Sequence, residues 1–155
     1  MASAITLKSE ELQLMSLIQD LTSVTAKDCI FDSKLNRVIL VVDSTQMGLV
    51  IGKKGMMIKK LKKITGKLIE IVEYSDDPVK FVTNILNQDL IENIKLTKNS
   101  NYNQTIVVNV DAKNKGAVVG KNGRNAEKAR SLSKKYFQIN NIQILWCLGS
   151  LTHMN

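Results

Sequence analysis

The 155-residue chain has one proline, one histidine, two cysteines and only 5% aromatic residues. Two cysteines cannot form a disulfide framework, and Cys29 and Cys147 both lie in apolar runs, which predicts buried, reduced thiols in a cytoplasmic chain. The single histidine, His153, and the absence of a clustered His/Cys pattern predict no metal site. The few aromatic residues argue against a sheet that stacks nucleic-acid bases in the manner of RRM or OB folds.

Long apolar runs are also missing, so the sequence predicts no membrane contact through a spanning helix. The first residues, 1–5, lack the basic start and apolar core of a signal peptide. What remains is a composition with 44% hydrophobic residues, which is ordinary for a globular protein.

Positive charge is concentrated in two windows of the chain. Residues 44–69 contain seven lysines and no acid, and residues 112–137 contain eight basic residues and one acid, Glu127. Together they hold 15 of the 22 basic residues, and the rest of the chain is net acidic. Charge of one sign around two sites indicates a polyanionic partner more strongly than the overall charge of +8 does.

Each basic window contains the same short motif, a hydrophobic pair followed by Gly-x-x-Gly. The first copy, which we call the first loop motif, is Val50–Gly55, and the second is Val118–Gly123. Both glycines recur 68 residues further along the chain. One Gly-x-x-Gly is a weak signal because turns produce it by chance. Two copies in the same surroundings predict a repeated unit.

Hydrophobic periodicity predicts one series of elements twice. The first series is a helix over 6–23, strands over 27–32 and 37–43, a short helix over 46–50, a basic helix over 56–65 and a strand over 68–74. The second is a helix over 79–90, strands over 91–96 and 105–111, a short helix over 112–119, a helix over 124–137 and a strand over 142–146.

A polar stretch containing the only proline, Pro78, separates the two series. Asp77 is expected to cap the helix that starts there. We therefore predict an α+β fold with one domain over residues 1–75, a second over 76–148 and a loose tail over 149–155.

The loop suits an anion for three reasons. Its glycines permit a tight turn and close approach of another backbone. The second glycine opens a helix, whose unpaired N–H groups and dipole favour negative charge. Lysines in the loop add charge of their own. Such a loop can hold a phosphodiester backbone without reading sequence, and bases would be read in the adjacent groove.

A nucleotide-dependent enzyme is a competing interpretation, because residues 48–54 superficially resemble a P-loop. The glycines are one residue too close, and Lys54 stands where a magnesium-binding Ser or Thr is required. Asn122 occupies that place in the second copy. No nucleophile–base pair is visible. The sequence thus predicts no enzyme, no cofactor and no small-molecule substrate.

With these motifs the chain resembles a tandem of KH domains. A helix and a strand precede the first loop-bearing unit, and the second unit ends on a strand. This order resembles type II KH topology, in which a three-stranded mixed sheet packs against three helices. Tandem type II modules resemble the NusA family of transcription factors, here in the short form of its archaeal members.

The resemblance implies that the partner is single-stranded RNA, specifically a nascent transcript, and that the role is transcription termination or antitermination. RNA polymerase is a further partner that it suggests, although the polymerase-binding domain of the bacterial factor is missing. The residues expected to bind RNA are Val50, Ile51, Gly52, Lys53, Lys54, Gly55, Met56, Lys59, Val119, Gly120, Lys121, Asn122, Gly123 and Arg124.

Two alternatives remain open at the level of sequence. A ribosomal or ribosome-assembly KH protein would carry the same loops and bind rRNA instead. A repeat that only scaffolds proteins would retain the fold, but it would not need two acid-poor windows around the loops. Asn122 replaces Lys54 in the second loop, which predicts a weaker grip there.

Overall fold

The computed structural model describes the backbone of residues 9–148 and 151–154 and the side chains of residues 11–146. The chain forms two compact units, Met1–Tyr74 and Ser75–Asn155. The predicted start of the first helix at Thr6 and the predicted tail residue His153 lie outside the side chains described, as does the thiol of Cys147.

The first unit is a three-stranded mixed sheet with three helices. Strand β1 pairs with β2 in antiparallel fashion, and β2 pairs with β3 in parallel. Two short 3-10 turns, at Ser44–Gln46 and Lys53–Gly55, flank α2. In chain order the elements are α1 (Ser9–Thr22), β1 (Asp28–Asp32), β2 (Arg37–Val42), α2 (Met47–Ile51), α3 (Met56–Thr65) and β3 (Leu68–Glu73).

The core of the first unit forms around the central strand, β2, whose six residues are all buried. Its β-branched and aliphatic side chains favour this position, because strand residues that are covered on both faces read as a continuous hydrophobic run. From α1, Leu14 and Ile18 pack into the same cluster, and Leu61 joins it from α3. The thiol of Cys29 is buried there, as predicted, and burial raises its pKa to about 12. The thiol is therefore protonated and unreactive at neutral pH.

A buried arginine joins all three strands of this sheet. Arg37 is 1% exposed; its Nε donates to Asp32 Oδ2 at 2.7 Å and its Nη1 to Glu70 Oε1 at 3.1 Å. Burial raises the pKa of Asp32, but hydrogen bonds from Arg37 and from the Leu35 N–H, together with the positive charge, outweigh it and hold the pKa below its ordinary value. The sequence gave no warning of this ion triad, because Arg37 looked like the polar end of a strand.

The second unit repeats this plan with longer elements. Strands β4 and β5 are antiparallel, with a register shift between Ile91 and Asn93, and β5 and β6 are parallel. Phe81 makes edge-to-face contacts with Tyr136 and Phe137, which join two of its helices. In chain order the elements are α4 (Pro78–Leu86), β4 (Ile91–Lys98), β5 (Gln104–Asp111), α5 (Lys115–Val119), α6 (Arg124–Phe137), β6 (Asn141–Leu148) and β7 (Leu151–Met154).

Strand β7 corrects two predictions. The second sheet has four strands rather than three, in the order β4-β5-β6-β7, and residues Leu151–Met154 are a strand rather than a loose tail. The pairing of Leu148 with Leu151 leaves two residues between the strands, a common length for a hairpin connection. Four residues are too few for a clear alternation, so the periodicity of the sequence missed the strand.

The predicted α+β class and the order of the earlier elements are confirmed. The helix predicted over 79–90 is shorter, because Asn87 adopts a positive φ of 76° that ends α4 at Leu86. As expected, the Asp77 carboxylate caps α4 by accepting from the Val79 N–H at 3.1 Å. Among the helices that the structure describes, none combines the length and apolarity required to cross a membrane.

The Arg37 triad generates a stability prediction. Replacing Arg37→Ala leaves two carboxylates that are 17% and 15% exposed without their cation, so the free energy of unfolding of the first unit should fall by about 3–5 kcal/mol. Hydrogen exchange of the β2 amides measures this. Thr105→Ala is the matched control, since Thr105 stands 68 residues later, and it should change stability by about 0.5 kcal/mol or less.

The same triad should weaken in acid. Because folding lowers the pKa of Asp32, its contribution is present above the unfolded carboxyl pKa of about 4 and is lost as the pH falls through the folded value. The stability difference between wild type and Arg37→Ala should therefore shrink toward about pH 3. A difference that stays constant over this range would show that the triad does not stabilise the sheet.

Candidate nucleic-acid interface

Both glycine loops lie in crossovers between parallel strands. Strands β2 and β3 are parallel, and parallel neighbours cannot be joined by a tight turn, so the chain must cross the sheet with helices. That crossover consists of α2, the first loop and α3. In the second unit α5, the second loop and α6 connect β5 with β6 in the same way.

The two loops have almost the same backbone. In the first, Gly52 has φ 77° and ψ 170°, Lys54 has φ 55°, and Gly55 has φ 73°. In the second, Gly120, Asn122 and Gly123 have φ values of 83°, 58° and 71°. Each loop is closed by one hydrogen bond between its glycines, from the second N–H to the first carbonyl, at 3.1 Å and 3.0 Å.

The first glycine of each loop is required for two separate reasons. Its φ and ψ lie in a region that is almost restricted to glycine. A Cβ at Gly52 would also lie 2.7 Å from the backbone nitrogen and the Cβ of Met57, and one at Gly120 would lie 2.9 Å from Arg124 Cγ. The absence of a side chain thus allows the following helix to pack against the loop.

The second glycine opens the helix that follows. Gly55 and Gly123 are the N-cap residues of α3 and α6, both are left-handed, and neither helix has a side-chain cap. The N–H groups of the first helical turn are therefore available to an anion, and the helix dipole favours one. The first turn of α3 contains no acid, whereas that of α6 contains Glu127.

The sequence-predicted residues divide into supporting and exposed groups. Val50 is fully buried in the core of the first unit, so it anchors the loop and presents no surface to a ligand, while Ile51 and Val119 are half-buried. The exposed residues cluster on the loops and the helices that follow, and they are Lys53, Lys54, Met56, Lys59, Lys121 and Asn122. Gly52, Gly55, Gly120, Gly123 and Arg124 are half-buried.

Arg124 holds an unusual position in the second loop. Its aliphatic carbons cover Gly120, and its Nε is buried with no hydrogen-bond partner among the described residues. A buried donor without a partner is costly and calls for an explanation, such as an absent anion or water. Met56 occupies the matching position in the first loop and is 65% exposed.

A groove along α6 adds residues that the sequence reasoning missed. It has a volume of about 480 Å³ and begins at the second loop. Arg130 fixes one wall, because its guanidinium donates to the Ile142 carbonyl of β6 at 3.2 Å and 3.4 Å. The lining residues are Asn122, Gly123, Glu127, Arg130, Ser131, Lys134 and Asn140.

A signal for the groove existed in the sequence. Residues 123, 127, 130 and 134 recur at helical spacing and therefore share one face of α6. The sequence reasoning stopped at Arg124 because it followed the loop rather than the helix face. The groove also shows that the copies differ, since the position matching Lys59 holds Glu127.

The geometry does not favour nucleotide hydrolysis. Gly48, the first glycine of the P-loop-like sequence, lies inside α2 and opens no phosphate-binding loop. Within the described residues, no group of three or more His, Cys, Asp and Glu side chains is placed to hold a metal ion.

The arrangement agrees with known proteins. A family model described as a KH domain matches residues 15–97, which contain the first loop and extend into β4. The fold and the first loop thus define a KH-domain protein. The second loop lies beyond the matched residues, so its equivalence depends on its geometry.

Relatives narrow the family further. A probable transcription termination protein NusA from Halobacterium salinarum is 31% identical over 140 residues, covering 90% of this chain and 98% of the relative. One of the same description from Methanocaldococcus jannaschii is 28% identical over 139 residues, covering 90% and 74%. A crystal structure of a protein called APE1850 is 36% identical with a TM-score of 0.76, covering 89% of this chain and 99% of that one. The chain belongs to the family of archaeal NusA-like transcription termination proteins.

The loop geometry predicts that its two glycines differ in tolerance. Gly52→Ala forces a Cβ into Met57 and into a forbidden backbone region, so it should destabilise the first unit strongly. Gly55→Ala meets nothing within 4 Å and bears only the left-handed penalty of about 1–2 kcal/mol. Denaturant unfolding of both variants measures the difference. Equal losses would contradict the packing argument.

Proposed function

We propose that the chain is a tandem of two type II KH modules that binds single-stranded RNA during transcription. The observation that carries this proposal is the repeated loop, with the same backbone at Gly52–Gly55 and Gly120–Gly123 and lysine exposed in each. Two copies of an anion-accepting loop in one chain suit one extended polyanion.

The order of elements supports the type II assignment. In each unit a helix and a strand precede the strand that leads into the loop, and a parallel strand follows the second loop helix. The additional strand β7 extends this plan at the β6 side of the second sheet without changing it.

Phosphates would bind at the loops themselves. Lys53 and Lys54 in the first loop and Lys121 in the second are exposed beside helix N-termini. Arg124 could turn its unpartnered Nε toward a phosphate oxygen with a small side-chain movement, which would offset the missing charge at Asn122. A left-handed φ also suits asparagine better than lysine, so Asn122 reduces loop strain while it reduces charge.

Bases would lie beside the loops. In the second module the α6 groove offers donors from Arg130 and Lys134 and acceptors from Glu127 and Asn140. Mixed polar edges of this kind can hydrogen-bond single-stranded bases, and a KH module holds about four nucleotides. Lys59 in place of Glu127 gives the first module a different lining, so the two modules would prefer different sequences.

The relatives' names support a role in transcription termination or antitermination rather than in the ribosome. We propose that the RNA is a nascent transcript, that the protein acts in the cytoplasm, and that RNA polymerase is a second partner. The names and the KH domain are those of binding proteins, and they support a non-catalytic role.

Reversing the charge of the first loop tests the RNA grip. Lys53→Asp with Lys54→Asp should weaken binding of single-stranded RNA and leave the fold intact, because both side chains are exposed. The matched control is Lys80→Asp with Lys95→Asp, two exposed lysines outside both loops and the helices that follow them. It changes the net charge equally and should weaken binding much less.

Salt dependence provides the quantitative readout in a fluorescence anisotropy titration. Each phosphate contact that is lost should reduce the slope of log affinity against log salt by about 0.7. Equal effects of the two double variants would mean that the loops have no special part and that only net charge attracts the RNA.

The transcription role makes a separate prediction about RNA in cells. After crosslinking, the protein should carry nascent transcripts, with reads enriched near the 3′ ends of transcription units. The variant Lys53→Asp with Lys54→Asp should lose these reads. Recovery of mainly ribosomal RNA would contradict the transcription role while leaving the RNA grip itself in place.

A further inference from the structure

The hairpin between β4 and β5 presents an exposed tyrosine. Tyr102 is 89% exposed, the highest fraction among the exposed large hydrophobic side chains that the structure describes. Its ring lies at the tip of the hairpin, where it contributes nothing to a core. A large aromatic surface left in water at such a place is unusual unless a partner covers it.

The tip holds this tyrosine in one backbone conformation. Asn99 Oδ1 accepts from the N–H groups of Asn101 and Asn103 at 2.9 Å and 3.0 Å, and the Tyr102 N–H donates to the Asn99 carbonyl at 3.1 Å. Tyr102 has φ 64°, a left-handed conformation that costs a non-glycine residue free energy and that asparagine tolerates better. The sequence thus keeps a large ring where a small polar residue would fit more easily.

Hydrogen bonds place this hairpin at the far end of the α6 groove. Asn140, which lines the groove, accepts from the Gln104 N–H through its Oδ1 at 2.7 Å and donates its own N–H to the Gln104 carbonyl at 2.9 Å. Gln104 is two residues from Tyr102. From Gly123 to Lys134 the groove follows α6 for about 16 Å. The loop therefore marks one end of the groove and the hairpin marks the other.

The charge around the hairpin suits a nucleic acid. Residues 93–110 contain Lys95 and Lys98 and no acid. Lys134 and Lys135 are exposed near the end of α6. An exposed aromatic ring with lysines nearby is the combination by which proteins hold single strands, with stacking on the bases and charge on the backbone.

We propose that Tyr102 stacks on a base of the RNA strand where the strand leaves the α6 groove. This inference deepens the proposed function and rests on it. It extends the contact of the second module beyond the groove by about one nucleotide. The hairpin of the first unit, residues 33–36, has Lys34 at the position 68 residues earlier, so the extension belongs to the second module alone.

Three substitutions separate the ring from the fold. Tyr102→Asn removes the ring and suits the left-handed backbone, so thermal unfolding should show no loss of stability. Tyr102→Phe keeps the ring, and Tyr102→Leu keeps an apolar side chain without one. All three are made in the full chain carrying Lys53→Asp and Lys54→Asp, so that the second module dominates binding.

The probes are fluorescein-labelled single-stranded RNAs of mixed sequence, of about four and about eight nucleotides. Tyr102→Asn and Tyr102→Leu should weaken binding of the longer RNA about five- to tenfold and leave the shorter one unchanged, while Tyr102→Phe binds as the parent does. The salt slope should stay the same, since stacking neutralises no phosphate. A 4-thiouridine near one end of the longer RNA should crosslink to the peptide that contains residue 102.

The result that overturns the inference is equal affinity of Tyr102→Asn and its parent for the longer RNA, while Lys121→Asp still weakens binding. Loss of RNA polymerase binding by Tyr102→Asn with RNA affinity unchanged would overturn it too, because the ring would then contact protein. If neither Lys121→Asp nor the first-loop variant affects RNA binding, the proposed function fails before the tyrosine is tested.

Discussion

The parallel pairing of two strands in each sheet is the constraint on which the rest of the structure depends. A parallel pair requires a crossover, and here the crossover is too short for one long helix, so the chain breaks it into two helices joined by four residues. Positive φ angles at three of the four make that joint possible. The same geometry leaves a helix N-terminus exposed beside lysines. The anion site therefore follows from how the sheet is connected.

Repetition preserves the backbone of this joint and changes its chemistry. Gly52 and Gly120 share their conformation because any side chain would strike the following helix. The neighbouring positions carry no such constraint and have diverged, from Lys54 to Asn122 and from Lys59 to Glu127. The first module relies on charge around its loop, and the second adds a groove along α6. One strand of RNA would then meet two unlike surfaces.

Local patterns predicted the elements, their order and both loops, because periodicity and glycine spacing act over a few residues. Features that depend on contacts distant in sequence were not predictable. The Arg37 triad joins residues 33 positions apart, β7 is too short to show alternation, and the groove needed α6 placed against Asn140. Val50 was predicted to bind RNA, but the alternation of buried and exposed residues around the loop could not show that it belongs to the core.

Amide chemical-shift mapping of the 17.3 kDa chain with single-stranded RNA tests the central claim most directly. The loops have free N–H groups and exposed lysines, so added RNA should shift the amides of residues 52–56 and 120–124 first and most. Both sets should return toward their original positions at high salt. Shifts confined to other surfaces, or none at RNA concentrations that saturate binding, would contradict the claim that the two glycine loops grip RNA.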